Sequence, residues 1–456
     1  MGTPFWSSET NGWAALCPVE NEKDELASEM SWTKMWIGLG KDESRFPSLA
    51  PLGIPNFVPQ VEGKKPPAQR VRKIKLKPTP EQKRILNGWF GTARWTYNQC
   101  LKAIEEYGCE RSETALRASC INNDLWRERN CWVKQTPYDI RNAAMCDLLK
   151  AYQSNFAAKR KKFKMKYKSK KALSDSIVIH SKHWKAAGMF YPRTFGKVPV
   201  KACETLPDKL DYDTRLQRTR LGEFYLCLLS PLRTENQIPK HSVIALDPGV
   251  RTFQTGYSPQ GSTFEFGRGD VARLARLCLE LDKLQSKWSQ PGVKHRQRCS
   301  FQKAARRLRE RIHNLVHDLH HNVARFLCQC FGTILIPKFE TQDMVCKVKR
   351  RIGSKTARMM LTWSHYRFRK ILEDKARQFP GCAVFVVDEA FTSKTCGKCG
   401  NLHPNLGKNK TFHCPSCNFT LDRDINGARN ILLRFMTEDA RVRQAGLHWD
   451  LAPGHL

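Results

Sequence analysis

Two Cys-x-x-Cys turns near the C-terminus constrain this chain more than any other feature. Cys396-Gly-Lys-Cys399 and Cys414-Pro-Ser-Cys417 stand 14 residues apart. Two tight turns at that separation bring four thiolates to the corners of one tetrahedron, the ligand set of a structural zinc ribbon. All four positions are cysteine, so no ligand position stays open for chemistry at the Zn²⁺. His403 and His413 flank the turns and are surplus to that set. Leu421-Asp-Arg-Asp424-Ile-Asn426 follows at once and puts carboxylates at the start of a helix-like run. A metal-stapled turn that runs into acidic residues points to a nucleic-acid enzyme more than to a free-standing finger.

Charge points the same way. The 456 residues carry 78 Lys+Arg against 43 Asp+Glu, a formal net charge of +35. Such an excess predicts a polyanionic partner, because neutralising phosphates releases condensed counterions. No run of 18 apolar residues occurs, so no membrane span is expected. The first residues lack the charged and apolar regions of a secretory signal. Four of the 18 cysteines belong to the ribbon; the rest are scattered, which fits free thiols in a reducing compartment.

The acidic residues are unevenly placed. Residues 1–62 hold 4 Lys/Arg and 9 Asp/Glu, with Pro47, Pro51, Pro55 and Pro59 near the end. Residues 1–64 are therefore expected to be a disordered extension. Arg70–Lys77 alternates like a strand, and Thr79-Pro80 then opens a helix, Thr79 as N-cap and Pro80 in the first turn. Helical patterns continue to about Phe156, with Trp126, Trp132, Tyr138 and Leu148 expected in the core. Lys159–Lys171 has nine basic residues in thirteen. From Lys162 to Lys170 lysines alternate with Phe163, Met165 and Tyr167, as on a strand that grips phosphates with one face and packs with the other. Lys159, Arg160, Lys162, Lys164, Lys166 and Lys168 are the expected nucleic-acid contacts. Residues 176–230 read as β-rich, and a small β-barrel interrupted by the helical segment is the economical arrangement.

Next come Val243–Asp247, Thr252–Tyr257 and Thr263–Phe266, joined by turns, then a basic helical stretch over 270–330. Thr333–Ile336 and Ala383–Val387 follow, separated by helix. Three strands in hairpins and two more between helices is the order of an RNase H-like sheet. Asp247 ends the first of these strands. Phosphodiester hydrolysis needs acidic groups converging on two Mg²⁺ ions about 3.5–4 Å apart, and strand-end carboxylates supply oxygen ligands on a rigid frame. Asp424 is the second candidate. Asp422, nearer the ribbon, is the poorer one.

Asp-Pro-Gly-Val-Arg-Thr-Phe (247–253), Thr-Ser-Lys-Thr-Cys-Gly-Lys-Cys-Gly (392–400), Cys-Pro-Ser-Cys (414–417) and Asp-Arg-Asp-Ile-Asn-Gly-Ala-Arg-Asn-Ile (422–431) together resemble TnpB and its eukaryotic and viral relatives, the Fanzor proteins, which are related to type V CRISPR effectors. Lys-Pro-Thr-Pro-Glu-Gln-Lys-Arg-Ile-Leu, Ala-Arg-Trp-Thr-Tyr-Asn (93–98) and Leu-Thr-Trp-Ser-His-Tyr-Arg-Phe (361–368) fit the same family, so the resemblance covers roughly residues 68–435. It implies a monomeric ribonucleoprotein in which a guide RNA directs cutting of double-stranded DNA beside a short motif. It implies an α+β multidomain fold: a wedge-like β-barrel (65–80 and 160–238), a helical recognition lobe (81–159), a RuvC-like nuclease domain (239–392 and 420–440), an inserted zinc ribbon (393–419) and a tail (441–456). With the Lys159–Lys171 run, the eukaryotic resemblance implies the nucleus. The family's catalytic glutamate ends the fourth strand, about seven residues before a methionine. Counting back from Met344 gives Pro337, which cannot bind a metal. Glu389, at the end of the next strand, is the preferred replacement beside Asp247 and Asp424, with Glu340 in reserve. A catalytically inactive RNA-guided binder and a guide-free resolvase are the alternatives.

Overall fold

A computed structural model of the chain describes residues 37–41, 69–122, 131–158, 163–172, 174–235, 239, 241–346, 350, 352–403, 406–407 and 409–438. The chain divides into two compact units, Lys64–Leu232 and Met1–Gly63 with Arg233–Leu456. The expected disordered extension lies outside the described residues except for β1 (Ile37–Lys41), which is a strand.

In the unit Lys64–Leu232, β2 (Gln69–Lys77) leads into α1 (Pro80–Tyr107). The Thr79 hydroxyl accepts from the Gln82 N–H at 3.2 Å, and the Gln82 side chain accepts from the Thr79 N–H at 3.0 Å. This reciprocal capping and Pro80 in the first turn start the helix where the sequence places it. Short α2 (Glu113–Leu116) and α3 (Cys131–Lys134) precede α4 (Tyr138–Ala157). The rest is β3 (Ser174–Ile179), β4 (Trp184–Ala186), β5 (Met189–Phe190), α5 (Pro192–Phe195), β6 (Lys201–Ala202), β7 (Thr214–Thr219) and β8 (Phe224–Pro231).

Three expectations for this unit change. The sheet runs β3-β7-β8-β2-β6 and is open; among the described residues no ladder joins β3 to β6, so there is no closed barrel. β6 pairs only at Leu76 and Lys77, too short to carry a closing ladder. α1 and α4 do the covering instead: Trp89, Phe90, Ile140 and Ala144 share one core with Ile74, Leu216 and Leu226 of the sheet. Second, Lys164, Lys166 and Lys168 are not on a strand. The Asn98 amide takes the partner's place, accepting from the Lys168 N–H at 2.8 Å and donating to its carbonyl at 3.1 Å. Phe163 and Met165 pack inward as expected, but Tyr167 is exposed and the Lys168 ammonium sits 4.2 Å from the Tyr97 ring centre. Lys159, Arg160 and Lys162 lie outside the described residues. Third, Trp132 and Tyr138 are each 42% exposed, whereas Leu148 is buried. Leu101, Leu116, Met145 and Tyr152 complete that core; Trp126 lies outside the described residues.

In the other unit, β9 (His241–Pro248), β10 (Gln254–Tyr257) and β11 (Ser262–Phe266) form antiparallel hairpins. Helices α6 (Asp270–Ser289) and α7 (His295–Cys330) lead to β12 (Phe331–Pro337). Then come α8 (Thr341–Val345), α9 (Ser354–Trp363), α10 (His365–Ala376) and β13 (Ala383–Val387). The sheet order is β1-β11-β10-β9-β12-β13, with β12 parallel to both neighbours. β1 pairs antiparallel with β11. Without it β11 would be an open edge, and backbone pairing of that kind needs no side-chain pattern that a sequence would betray. Among the described residues no helix is long and apolar enough to cross a membrane.

The side-chain period of two sorts this sheet. Ile244, Leu246, Ile334 and Ile336 enter a core with α7, α9 and α10. Val243, Ala245, Leu335 and Val387 enter the opposite core, against a C-terminal helix through Ala428, Ile431, Leu432 and Phe435. That alternation decides where the strand-end residues point.

Candidate active site

Asp247 has the parity of Val243 and Ala245, so the strand that buries those residues aims its carboxylate at the same helix. That helix is the last, following β14 (Thr411–His413) and β15 (Thr420–Asp422), and is α11 (Arg423–Glu438). Gly427 receives the carboxylate. A methyl group at Gly427 would stand 2.7 Å from Asp247 Oδ2, closer than packing allows, so the missing side chain is what admits the acid. Asp424 lies one turn earlier. Glu389 stands two residues past Val387, in the turn that follows β13. β12 pairs with β13 at Pro337↔Val387, so the turn that carries Glu389 starts beside Pro337.

Burial pushes Asp247 well above the usual carboxylate range, and the charges of Asp424 and Glu389 push the same way. Burial raises Glu389 to about 7, helped by Asp388. Asp424 is raised by burial and then by Asp422. Asp247 therefore feels the charges of both Asp424 and Glu389, so the other two acids stand around this one carboxylate. Within the described residues none of the three has a cation within 4.0 Å, whereas their acidic neighbours do. Asp388 pairs with Arg434 at 2.9 Å, Asp422 with Lys410 at 3.3 Å, and Glu340 with Lys338. Glu340 is 52% exposed on its side chain and stands three residues beyond β12, just before α8. Asp422 also accepts from the Asp424 N–H at 2.9 Å and the Ile425 N–H at 3.4 Å, as a helix N-cap does. It takes the cap, leaving Asp424 with none to make.

The four cysteines form a second centre. Their sulfurs lie within 4.8 Å of one another; Cys396–Cys417 is 3.7 Å and Cys399–Cys414 is 3.6 Å. Zinc–sulfur bonds of about 2.3 Å at tetrahedral angles require sulfurs about 3.8 Å apart, so the set fits Zn²⁺. Burial opposes charge on Cys414, but the N–H groups of Cys417 and Ser416 outweigh it and bring the thiol down to about 6. Cys396 is held up at about 12, chiefly by burial, and a bound cation would reverse that. Leu406 and Phe412 are the small apolar filling. Within the described residues this is the one group that draws three or more ligand atoms that close. A pair of ions about 3.5–4 Å apart takes a wider set than that.

Sequence reasoning missed what joins the two centres. The Asn426 side chain accepts from the Gly397 N–H at 3.0 Å and donates to the Thr395 carbonyl at 2.8 Å. Asn430 donates to the carbonyls of Thr392 at 2.8 Å and Thr395 at 2.7 Å. Arg434 donates to the Ala390 carbonyl at 2.7 Å. Asn426, Asn430 and Arg434 recur every four residues, one stripe of a helix, and that spacing was the available signal.

Comparison with known proteins accords with this anatomy. Residues 365–431 match the family model of the Cas12f1-like TNB domain, and residues 68–111 match that of a helix-turn-helix domain. The chain is 31% identical over 395 residues to "Putative transposase A625R" of Paramecium bursaria Chlorella virus 1, covering 82% of this chain and 88% of that protein. It is 26% identical over 382 residues to "TnpB-like protein L79" of Acanthamoeba polyphaga mimivirus, covering 79% and 72%. It is 26% identical over 375 residues to "Putative RNA-guided DNA endonuclease" of Streptomyces pristinaespiralis, covering 80% and 89%. The sheet with its acidic rim, the four-thiol ribbon and these likenesses over most of the chain have one reading: the chain belongs to the TnpB-like transposase family.

Proposed function

We propose that this protein is an RNA-guided DNA endonuclease of the TnpB/Fanzor type, with the sheet β9–β13 as a RuvC-like nuclease core. One observation carries the reading: Asp247, Glu389 and Asp424 cluster with no ion-pair partner within 4.0 Å among the described residues, while the flanking Asp388 and Asp422 are paired with Arg434 and Lys410. Like charges held near one another by three separate elements favour a cation between them. These three residues would hold two Mg²⁺ ions. Bound there, the ions activate water and neutralise the leaving oxygen of a phosphodiester. The chain's own part is placement. The strand end fixes Asp247, α11 holds the turn that carries Glu389, Gly427 opens the space, and Asp422 frees Asp424 by taking the cap.

The net charge of +35 supports guide RNA and double-stranded DNA as partners. The likeness to a Streptomyces protein named for RNA-guided cutting, over 89% of its length, supports guidance by base pairing. In that reading the protein reads only shape and a short flanking motif.

The test is to purify the protein from cells carrying its genomic locus, sequence the RNA bound to it, and replace the guide segment. Mg²⁺-dependent cutting that moves to the new complementary DNA is the expected result. Cutting that ignores the guide would make the protein a guide-free resolvase. Guided binding with no cutting would make it an inactive binder.

A further inference from the structure

We propose that Asn430 and Arg434 are positioning residues for Glu389, and that their stripe on α11 ties the zinc ribbon to the carboxylate site. The inference rests on the reading of Glu389 as the third ion-holding carboxylate.

Glu389 leaves β13 into a turn whose side chains give it little support. Asp388 and Ala390 are exposed, and Phe391 is 67% exposed with φ at +64°. A glutamate on such a turn is mobile unless the backbone around it is held. α11 holds it. Arg434 bonds on both sides of Glu389, to the Asp388 carboxylate at 2.9 Å and the Ala390 carbonyl at 2.7 Å. One turn back, Asn430 fixes the Thr392 carbonyl at 2.8 Å. Thr392 in turn donates its hydroxyl to the Glu389 carbonyl at 2.9 Å. The same Asn430 amide also reaches the Thr395 carbonyl, next to the ligand Cys396, at 2.7 Å. Asn430 is 6% exposed and Asn426 is fully buried, so these bonds have no water to replace them.

One helix thus presents two functions on adjoining stripes. Asp424 and Gly427 face Asp247; Asn426, Asn430 and Arg434 face the chain that runs from Glu389 to Cys396. Gly397 belongs to the same fit, because a methyl group there would stand 3.0 Å from Asn426 Oδ1 and 3.1 Å from Asn430 Oδ1. Residues that orient a ligand in this way commonly govern about 10–100-fold in metal affinity.

The experiment uses full-length protein and Mn²⁺ as the probe, with free Mn²⁺ counted by electron paramagnetic resonance. Asn430→Asp keeps the shape and removes the donors; Arg434→Gln removes the charge at a half-exposed site that folding tolerates. Each should weaken Mn²⁺ binding about tenfold and raise the Mg²⁺ concentration needed for half-maximal cutting. Zinc content should stay at one per chain. Glu389→Gln should weaken Mn²⁺ binding too, and on that background neither further change should matter, as residues acting through one group behave in a double-mutant cycle. Unchanged Mn²⁺ affinity in both variants, or losses that add to that of Glu389→Gln, would overturn the proposal. Loss of zinc in step with loss of Mn²⁺ would overturn it as well, since both residues would then serve the ribbon's fold alone. If Glu389→Gln itself bound Mn²⁺ and cut DNA normally, the failure would lie in the reading of Glu389.

Discussion

The two ligand sets on this chain are built in opposite ways. The thiol set is local. Its four cysteines fall between residues 396 and 417, its sulfurs sit 3.6–3.7 Å apart in two pairs, and its apolar filling is Leu406 and Phe412. The carboxylate set is global. Asp247, Glu389 and Asp424 come from β9, the end of β13 and the start of α11, and their geometry exists only when a large core has formed on each face of the sheet. The first should depend on its metal for its fold; the second should depend on the fold for its metal. A closed tetrahedron suits a structural ion, whereas an open group of repelling acids suits ions that meet a substrate.

The largest expected break between them is catalytic. Asp247→Ala or Asp424→Ala should lower DNA cutting on the order of a thousandfold or more. Guide RNA binding and zinc content should stay as in the wild type, read by filter binding and metal analysis. Cys396→Ser or Cys414→Ser should do the reverse in order of events. Bound zinc falls first, residues 393–419 become open to protease, and cutting declines only after that.

Gly427→Ala separates geometry from charge. The added methyl drives Asp247 from its place, 2.7 Å away, without removing any acid. Cutting should fall by about tenfold to a hundredfold, while thermal unfolding changes little because the Asp247 side chain can swing away. An unchanged rate would show that Asp247 need not lie against α11.

A smaller effect is expected in the ion-free protein. Burial raises Glu389 to about 7 from an ordinary 4.5, so between those values the folded state binds more protons than the unfolded one. Stability must then fall as pH rises through that window. In chelator, the melting temperature should drop from about pH 5 to pH 8, less so in Glu389→Gln, and Mg²⁺ should reverse the drop. Equal pH slopes in wild type and Glu389→Gln would contradict the burial of a charged Glu389.

Much of this was legible in the sequence because it follows from short-range periodicity. Strand parity through Val243, Ala245 and Asp247 is a period-two pattern, and the knuckles are a spacing rule. Thr79 and Pro80 announced α1. The rest depended on partners distant in sequence. Nothing local to residues 37–41 marks a strand, because β11 supplies its pairing. Openness of the β2–β8 sheet is set by how α1 and α4 cover it. Alternation in Lys162–Lys170 resembled a strand, but Asn98 caught Lys168 before any strand did. The sequence ranks Asp422 below Asp424 only by its nearness to the ribbon; the hydrogen bonds at the start of α11 divide cap from candidate ligand.

Glu389 carries the claim that most sets this site apart, and one measurement reaches it directly: single-turnover cutting by Glu389→Gln and Glu340→Gln at saturating guide RNA and Mg²⁺. Glu389 is half-buried and its charge reaches Asp247, whereas Glu340 is exposed and paired with Lys338. Glu389→Gln should lower the rate by orders of magnitude, and Glu340→Gln should stay within about threefold of wild type, as surface ion pairs contribute little. The reverse ranking would move the third carboxylate to Glu340 and remove Glu389 from the site.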